Sequence, residues 1–304
     1  MSETPPFKTT MSFAYGEPRQ LAPGVVRIVA NNPNHFTFKG TNTYLVGADH
    51  LALIDPGPDD GEHLAAILRA IGGRRLSYIL ITHTHHDHVD GLPALIAATG
   101  AKTAGYGHRA LARGTKRTSA AGGEVLEVDF VPDIALQHGD RLAGEGWSFE
   151  ALFTPGHAPD HLCFALAGTE ILFSGDHVMG WNTSVVAPPE GNMGAYIRSL
   201  ELLTERPERR YFPGHGGQIE EPHRLVKAYL LHRRMREHAI LDCIRQNHTT
   251  ARTIVPVVYR GLDPKLINAA SLSVLAHVEH LRERGLVAYE APLSADRVLS
   301  AVSS

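Results

Sequence analysis

The richest group of potential metal ligands in the sequence lies directly after an apolar run. Residues 76–90 read LSYILITHTHHDHVD, so four histidines and one aspartate fall within six consecutive positions. Neutral imidazole and carboxylate groups are good ligands for zinc and similar metals. Two histidines separated by one residue in an extended loop can point to the same side, so His83 and His85 can bind one ion. Asp87 and His88 follow once the chain has turned, and they can face a neighbouring ion.

Three later ligand-type residues share one sequence context, in which an apolar run is followed by a turn containing Gly or Pro. WSFEALFTPGH ends at His157, EILFSGD ends at Asp176, and RRYFPGH ends at His215. Side chains on loops at strand ends are held by a rigid sheet yet stay open to substrate. Together with the first cluster they exceed the three or four ligands that one tetrahedral ion needs, so we expect two ions, with one carboxylate bridging them.

The elements that position these residues can be predicted from hydrophobic periodicity. Up to about residue 220, short apolar runs of strand composition alternate with loops and a few helices. The predicted strands are VVRIVA, TNTYLVG, HLALID, LSYILIT, WSFEALF and EILFSG. The predicted helices are DGEHLAAILRAIG, with Gly72 as its stop, GLPALIAATG and AYIRSLELL. The segment 109–123, RALARGTKRTSAAGG, is predicted to be a mobile loop.

The pattern becomes helical from Pro222. The next apolar residues lie near one helical stripe with Arg and Lys opposite, and they are Leu225, Tyr229, Met235, Ile240 and Ile244. Two further helices are predicted over about 249–260 and 264–284, and Gly285 ends the second of them before the strand-like LVAYE.

Length and composition allow one large domain followed by a small one. Of 304 residues, 43% are hydrophobic, which is sufficient for a sizeable core. We predict a first domain over residues 1–220 and a helical second domain over 221–304. The two cysteines, Cys163 and Cys243, lie far apart in apolar segments and are predicted to be buried free thiols. We therefore expect a cytoplasmic, reducing location, with no secretory signal and no membrane span.

The net charge of −3 is unevenly distributed. Residues 1–221 carry 17 Lys and Arg against 25 Asp and Glu, whereas residues 222–304 carry 12 against 7, a balance of +5. Such asymmetry is typical of a basic module for an acidic partner, although the dispersed charges are equally compatible with a solvated helical surface.

The ordered motifs HTHHDH, PGH, GD and PGHG resemble the ligand pattern of the metallo-β-lactamase superfamily over about residues 24–217. The DPG turn at Asp55–Gly57 is similar to the early acidic turn of that fold. NNPNHFTFKGTNTYLVG and the helical tail are similar to the β-lactamase-like protein 2 group, whose mammalian members are single-strand-specific endoribonucleases of mitochondria. The resemblance implies an α/β fold, a four-layer αββα sandwich with two mixed sheets and metals at one edge. A small winged-helix-like C-terminal domain would follow the sandwich.

The resemblance also implies a role for each candidate ligand. The first metal would be held by the first ligand set, which comprises His83, His85 and His157. The second metal would be held by the second ligand set, which comprises Asp87, His88 and His215. Asp176 would bridge the two ions, for which two Zn²⁺ are the expected cofactors and Fe or Mn the alternatives.

The expected reaction follows from such a metal pair. A hydroxide bridging two zinc ions forms near neutral pH and attacks a carbonyl carbon or a phosphorus. Asp87 is the candidate catalytic residue, since its second carboxylate oxygen could orient the hydroxide and then pass a proton to the leaving group.

Other polar residues near the motifs receive separate predictions. Asp55 is expected to be a turn residue or to orient a ligand histidine, and His86 is expected not to be a ligand. The residues expected to be incidental neighbours or loop residues, with a pocket-lining role as the alternative, are His161, His177, Asn182, Thr183 and Ser184.

Several functions are compatible with this ligand pattern. We favour a binuclear metallohydrolase that acts on single-stranded nucleic-acid phosphodiesters, with RNA as the candidate partner. The alternative substrates are a small thioester, a lactone or a β-lactam, although dedicated β-lactamases generally lack an aspartate at the bridging position. A nucleic-acid-binding regulatory protein with a structural metal site is the alternative of another class. The sequence does not predict an oligomeric state.

Overall fold

The structure is a computed structural model that describes residues 5–107, 117–118, 124–125 and 130–302. Sixteen short strands lie within these ranges. The strands are β1 (Arg19–Ala22), β2 (Val25–Val29), β3 (Asn42–Gly47), β4 (His50–Ile54), β5 (Arg75–Leu80), β6 (Lys102–Tyr106), β7 (Arg117–Thr118), β8 (Glu124–Val125), β9 (Ile134–Leu136), β10 (Arg141–Gly144), β11 (Trp147–Phe153), β12 (Leu162–Leu166), β13 (Ile171–Gly175), β14 (Arg210–Pro213), β15 (Val287–Ala288) and β16 (Ser300–Ala301). The predicted loop over 109–123 lies outside the described residues, apart from β7.

Seven α-helices accompany these strands within the described ranges. The helices are α1 (Gly61–Ile71), α2 (His86–Val89), α3 (Leu92–Thr99), α4 (Met193–Thr204), α5 (Pro222–Arg245), α6 (Ala251–Val258) and α7 (Ile267–Glu283). The predicted end of α1 is confirmed, because Gly72 caps it in the left-handed conformation with φ of 60°. None of the described helices is long and apolar enough to span a bilayer.

Two mixed sheets form the centre of the first region. The seven-stranded sheet has the order β1-β2-β3-β4-β5-β6-β9, and the five-stranded sheet has the order β10-β11-β12-β13-β14. Strands β4, β5, β6 and β9 run parallel, as do β13 and β14. The carboxyl ends of parallel strands meet at the same edge of a sheet, so the loops after these strands are brought together.

Three apolar layers hold the sandwich together. Aromatic and aliphatic side chains from both sheets fill the space between them, including Tyr44, Phe149, Phe164, Phe173 and Phe212. A second cluster joins α1 and α3 to the outer face of the seven-stranded sheet. A third cluster joins α4 and the first half of α5 to the outer face of the five-stranded sheet. The predicted αββα arrangement of helix, two sheets and helix is therefore confirmed.

The C-terminal region forms its own core around α6 and α7. The second half of α5 contributes Ile240 and Ile244 to this core, which β15 and β16 complete. Helix α5 thus belongs to both cores, and it begins immediately after the predicted domain boundary at residues 220–221. The boundary itself stays a prediction.

The predicted apolar stripe of α5 is wrong at one residue and incomplete at two others. Met235 is 40% exposed, whereas Arg233 and Glu237 are buried at 4% exposure. Arg233 and Glu237 continue the four-residue spacing that starts at Leu225 and Tyr229, so their position on the helix directs them inward despite their charge. Glu237 accepts hydrogen bonds from His280 and Arg284 of the C-terminal region, which satisfies the buried carboxylate.

Candidate metal centre

Four loops at one edge of the sandwich carry the seven candidate ligands. The loop after β5 and the short helix α2 carry four of them, and the loop after β11 carries His157. Asp176 directly follows β13, and His215 follows β14 after one glycine. That glycine is required by close packing, because a Cβ atom at Gly214 would lie 2.5 Å from Asp176 Oδ1. The Pro-Gly-His motif thus lets the chain pass close to the other ligands.

The first ligand set converges on one point. His85 Nδ1 lies 2.9 Å from His83 Nε2 and 3.0 Å from His157 Nε2. Ligand atoms on one tetrahedral zinc are separated by about 3.3 Å, as bond lengths of about 2.0–2.1 Å require. The three nitrogen atoms are therefore spaced for one ion of this size.

The second ligand set converges in the same way. His215 Nε2 lies 3.1 Å from Asp87 Oδ2 and 3.3 Å from His88 Nε2. His88 Nε2 lies 3.4 Å from Asp87 Oδ2, which completes a triangle of one carboxylate oxygen and two ring nitrogens. This donor combination also fits a divalent cation.

Asp176 lies between the two sets. Its Oδ2 is 3.6 Å from His157 Nε2 in the first set and 3.3 Å from His215 Nε2 in the second. Its Oδ1 is buried and has no hydrogen-bond partner among the described residues, although it lies 3.6 Å from His88 Nε2. A buried carboxylate oxygen without a donor is expensive unless a cation binds it, so the residues present fit a shared metal position.

Each candidate histidine also has a partner on its other ring nitrogen. Nδ1 of His83 contacts Thr82 Oγ1 at 3.0 Å, Nδ1 of His157 contacts the carbonyl of Val185 at 2.6 Å, and Nδ1 of His215 contacts the carbonyl of Gly40 at 3.3 Å. Hydrogen bonds of this kind fix the tautomer and orientation of metal-binding imidazoles. The pattern leaves Nε2 of all three rings directed at the shared centre.

Asp55 provides the corresponding contact for His88. Its Oδ2 lies 2.8 Å from His88 Nδ1, and its oxygens accept hydrogen bonds from the backbone N–H and the hydroxyl of Thr82. Asp55 is 1% exposed and occupies the predicted acidic turn, with φ of 53°. Asp55 therefore lies where it can orient His88, and the role of His88 as a ligand stays a prediction.

The electrostatics of the two ligand sets differ. Burial and the neighbouring imidazoles hold the pKa of His83 well below its ordinary value and lower the pKa of His157 to about 4. Burial also opposes charging of His88 and His215, but the carboxylates of Asp87 and Asp176 outweigh it. They raise the pKa of His215 to about 9 and that of His88 well above its ordinary value. Protons on these two rings must leave before the rings can bind a metal.

The loop after Asp176 is fixed from two helices. Ser184 Oγ donates to the carbonyl of Asp176 at 2.5 Å. Arg233 of α5 donates to the carbonyl of Ser184, and the hydroxyl of Tyr229 reaches the carbonyls of Met179 and Asn182. From α4, the hydroxyl of Tyr196 donates to the carbonyl of His177. The side chain of Ser184 is thus committed to the backbone of the loop.

Other residues singled out in the sequence take different places. His86 faces Asp90 at 3.0 Å and is not part of either ligand set. His161 is buried and its Nε2 accepts the backbone N–H of Asp176, so it positions the loop. His177 is buried against Tyr196, and Asn182 is exposed. Among the predicted site residues, the seven ligand candidates are brought together, and their role as metal ligands stays a prediction.

Two contacts at the site could not be anticipated from motifs. Glu190 Oε2 lies 3.1 Å from His85 Nε2, and Thr41 Oγ1 donates to Asp87 Oδ2 at 3.2 Å. Neither residue belongs to a ligand motif. The only signal in the sequence is that each lies close to a Gly or Pro residue, which many other residues share.

Comparison with known proteins places this geometry in a family. Residues 36–215 match the metallo-beta-lactamase superfamily, and residues 250–292 match the beta-lactamase associated winged helix domain. The chain is 35% identical over 282 residues to the "Beta-lactamase-like protein 2 homolog" of Drosophila melanogaster, covering 88% of this chain and 90% of that protein. It is 33% identical over 233 residues to the "Atrochrysone carboxyl ACP thioesterase" of Aspergillus chevalieri, covering 75% and 68%.

A solved structure has the same fold over nearly the whole chain. The crystal structure of a beta-lactamase domain protein from Burkholderia ambifaria superimposes with a TM-score of 0.78 at 20% identity, covering 98% of this chain and 97% of that one. The match over residues 250–292 confirms the predicted winged helix domain in the C-terminal region, while its predicted bounds of 221–304 stay a prediction. The family match, the similar relatives and the converging His and Asp clusters agree. This chain therefore belongs to the metallo-β-lactamase superfamily of metal-dependent hydrolases.

Proposed function

We propose that this protein is a hydrolase with a binuclear metal centre that cleaves an ester-type bond. The observation that carries the proposal is the position of Asp176 Oδ2, 3.6 Å from His157 Nε2 and 3.3 Å from His215 Nε2. A carboxylate so placed is shared by both ligand sets, and a purely structural metal site has no need of two adjacent ions. When bound, a pair of such ions lowers the pKa of a coordinated water and polarises the oxygen of the bond to be cleaved.

The chain itself supplies a group for proton transfer. The side chain of Asp87 is 29% exposed, so this carboxylate is accessible from solvent, whereas His88 and His215 behind it are buried. Thr41 and His215 hold its Oδ2, and we propose that Oδ1 orients the attacking water and passes its proton to the leaving group.

Substitution of Asp87 by Asn tests this role. Because Asn retains an oxygen for coordination but cannot carry the proton, we expect the variant to bind metal while kcat falls about 10²–10⁴-fold. Metal content by elemental analysis and turnover should be measured on the same preparation. Two metals per chain with unchanged turnover would mean that Asp87 is only a ligand.

Zinc is the proposed metal, with iron or manganese as alternatives. Five imidazoles and two carboxylates form an N/O donor set that suits all three. Elemental analysis of the purified protein, followed by removal and stepwise return of each metal, identifies the one that restores activity. Fewer than two bound ions at saturation would contradict the binuclear centre.

We favour single-stranded nucleic acid as the substrate. Support comes from the likeness to the β-lactamase-like protein 2 group and from the +5 balance of residues 222–304. Most of that charge is engaged, however. Arg233 is buried, and the arginines paired with carboxylates are Arg224, Arg234, Arg245, Arg252, Arg284 and Arg297.

The remaining charge sets the salt dependence to expect. Lys227, Arg260, Lys265 and Arg282 are exposed and have no ion pair within the described part of the chain. Four phosphate contacts to a single strand predict a slope of about −3 for log affinity against log salt concentration. Titration of labelled single-stranded RNA at several salt concentrations measures it, and no binding at low salt would remove this substrate class.

A thioester is the second candidate substrate. The relative at 33% identity is named as a thioesterase, and the same metal chemistry can act on a carbonyl carbon. A panel of single-stranded RNA, a p-nitrophenyl phosphodiester, an acyl thioester, a lactone and nitrocefin separates these classes. Cleavage of the thioester alone would replace the nucleic-acid proposal while leaving the hydrolase in place.

The alternative of another class is a nucleic-acid-binding protein whose metal site only assists folding. Metal removal discriminates it. The hydrolase should lose turnover on every substrate at temperatures where the protein stays folded, whereas a structural site should lose folding and RNA binding together. The cytoplasmic location expected from the two free cysteines also belongs to the proposal.

A further inference from the structure

Each ligand set contains one histidine backed by a carboxylate. In the second set the pair is His88 with Asp55, which belongs to the acidic turn after β4. In the first set the pair is His85 with Glu190, at 3.1 Å between Nε2 and Oε2. The other three imidazoles contact a hydroxyl or a backbone carbonyl. Glu190 comes from a loop outside every ligand motif, so its position requires an explanation of its own.

The orientation of the His85 ring gives that explanation. Its Nδ1 is the atom that faces His83 and His157, at 2.9 and 3.0 Å, so Nδ1 is the nitrogen available to an ion. A carboxylate only accepts hydrogen bonds, so Nε2 must carry the proton that Glu190 receives. With the proton fixed on Nε2, the lone pair of Nδ1 is free to bind metal.

The backbone around Glu190 holds its carboxylate in place. The N–H of Gly191 donates to the carbonyl of Ala187 at 2.8 Å, and the N–H of Asn192 donates to the carbonyl of Gly156 at 2.9 Å. A Cβ atom at Gly191 would lie 2.3 Å from the nitrogen of Ala187, so this tight turn requires glycine. Because Gly156 directly precedes His157, the turn bearing Glu190 is tied to the loop that bears another member of the same ligand set.

We propose that Glu190 is a positioning residue of the first metal site, which selects the Nε2-protonated tautomer of His85 and fixes its ring. The inference rests on the proposed binuclear centre. The Glu190 side chain is 26% exposed, beside a His85 side chain that is 32% exposed. Glu190 therefore supports the solvent-facing ligand of the first set, as the buried Asp55 supports His88 in the second.

Metal affinity tests the inference directly. Removal of such a hydrogen-bond partner typically lowers metal affinity 10–100-fold. We expect Glu190→Ala to weaken one of the two metal-binding steps by that factor and to leave the other step unchanged. Glu190→Gln keeps an acceptor without the charge, so its affinity should lie between those of Glu190→Ala and the native protein. Glu290→Gln, at a side chain that is 93% exposed, is the matched control and should leave both steps unchanged.

Two readouts separate this role from simple destabilisation. Zinc affinity is measured by competition with a chromophoric chelator, and the Co²⁺-loaded protein is examined by visible absorption, which reports ligand geometry. The thermal midpoint of the metal-stripped variants should match that of the native protein. Native affinity in both steps and a native cobalt spectrum for Glu190→Ala would overturn the inference. A native protein that binds no metal would instead overturn the proposed centre itself.

Discussion

The two ligand sets lie side by side but differ in how they hold protons. The first set consists of three imidazoles, and burial keeps His83 and His157 uncharged at neutral pH. The second set contains a carboxylate, and its two imidazoles attract protons because Asp87 and Asp176 are adjacent. Each set has one partly exposed ligand, His85 in the first and Asp87 in the second. One sandwich edge thus combines a nitrogen-only position with a position where protons compete with the metal.

This difference teaches that the order of metal binding can be set by protons. An ion entering the first set displaces at most one proton, from His85. Burial opposes protonation of His85, but Glu190 outweighs it and raises the pKa of this imidazole. An ion entering the second set must displace protons from two rings. We therefore expect the first set to fill first at or below neutral pH.

Removal of the shared carboxylate should weaken metal binding in both sets and so remove the difference between them. Asp176→Ala leaves His157 and His215 without the oxygen that lies between them. Loss of several kcal/mol of metal-derived stabilisation corresponds to a fall in kcat/KM of about 10³-fold or more. Turnover and metal content per chain measure the effect. A variant with two tightly bound ions would show that Asp176 is not a bridge.

Removal of Asp55 should weaken chiefly the second set. Asp55→Asn loses the carboxylate that faces His88 Nδ1 at 2.8 Å. The expected loss is about 10–100-fold in the affinity of the second set. A smaller loss is expected in the first set, because the hydroxyl of Thr82 links Asp55 to His83. Chelator competition resolves the two steps. Equal weakening of both steps would contradict the division into two sets.

A change in pH should separate the two sets without mutation. The pKa of His215 is raised to about 9 and that of His157 is lowered to about 4. Between pH 6 and 9 a metal must therefore displace protons from the second set, so its apparent affinity rises about tenfold per pH unit for each proton released. The first set should respond less steeply. Dissociation constants at four pH values provide the slopes, and parallel slopes would contradict the proton assignment.

The smallest expected effect concerns the hydroxyl that holds Asp87. Thr41→Val keeps the shape of the side chain but removes its donation to Asp87 Oδ2 at 3.2 Å. Such a hydrogen bond is worth about 1 kcal/mol, which corresponds to about fivefold in the affinity of the second set. Titration of the variant beside the native protein measures it. An effect confined to the first set would contradict the assignment of Asp87 to the second set.

Much of the site follows from the sequence because its chemistry is encoded locally. Each motif consists of an apolar run, a turn and a ligand-type residue, and parallel strands bring the ends of such runs to one edge. The convergence of His83, Asp176 and His215 is therefore predictable without knowledge of distant contacts. The end of a helix can be predicted in the same way, as at Gly72, because a left-handed cap favours glycine.

The remainder depends on contacts between distant parts of the chain. Glu190 is 105 residues from His85, and Arg233 is 49 residues from Ser184. No local pattern indicates that Glu190 faces His85, and the helical spacing that directs Arg233 inward does not identify Ser184 as its partner. Strand β6, with the sequence KTAGY, was not predicted either, since Ala and Gly have low strand propensity. Its place between β5 and β9 is set by neighbours on both sides.

The carbonyls after Asp176 are secured by Tyr229 and Arg233, which come from the long helix that leads into the winged helix domain. A recombinant fragment that stops at residue 220 would keep all seven candidate ligands and still lack the side chains that hold that loop. A minimal catalytic fragment should therefore include the whole of α5. Exchange of winged helix domains between relatives calls for junctions beyond Arg245, where the helix ends.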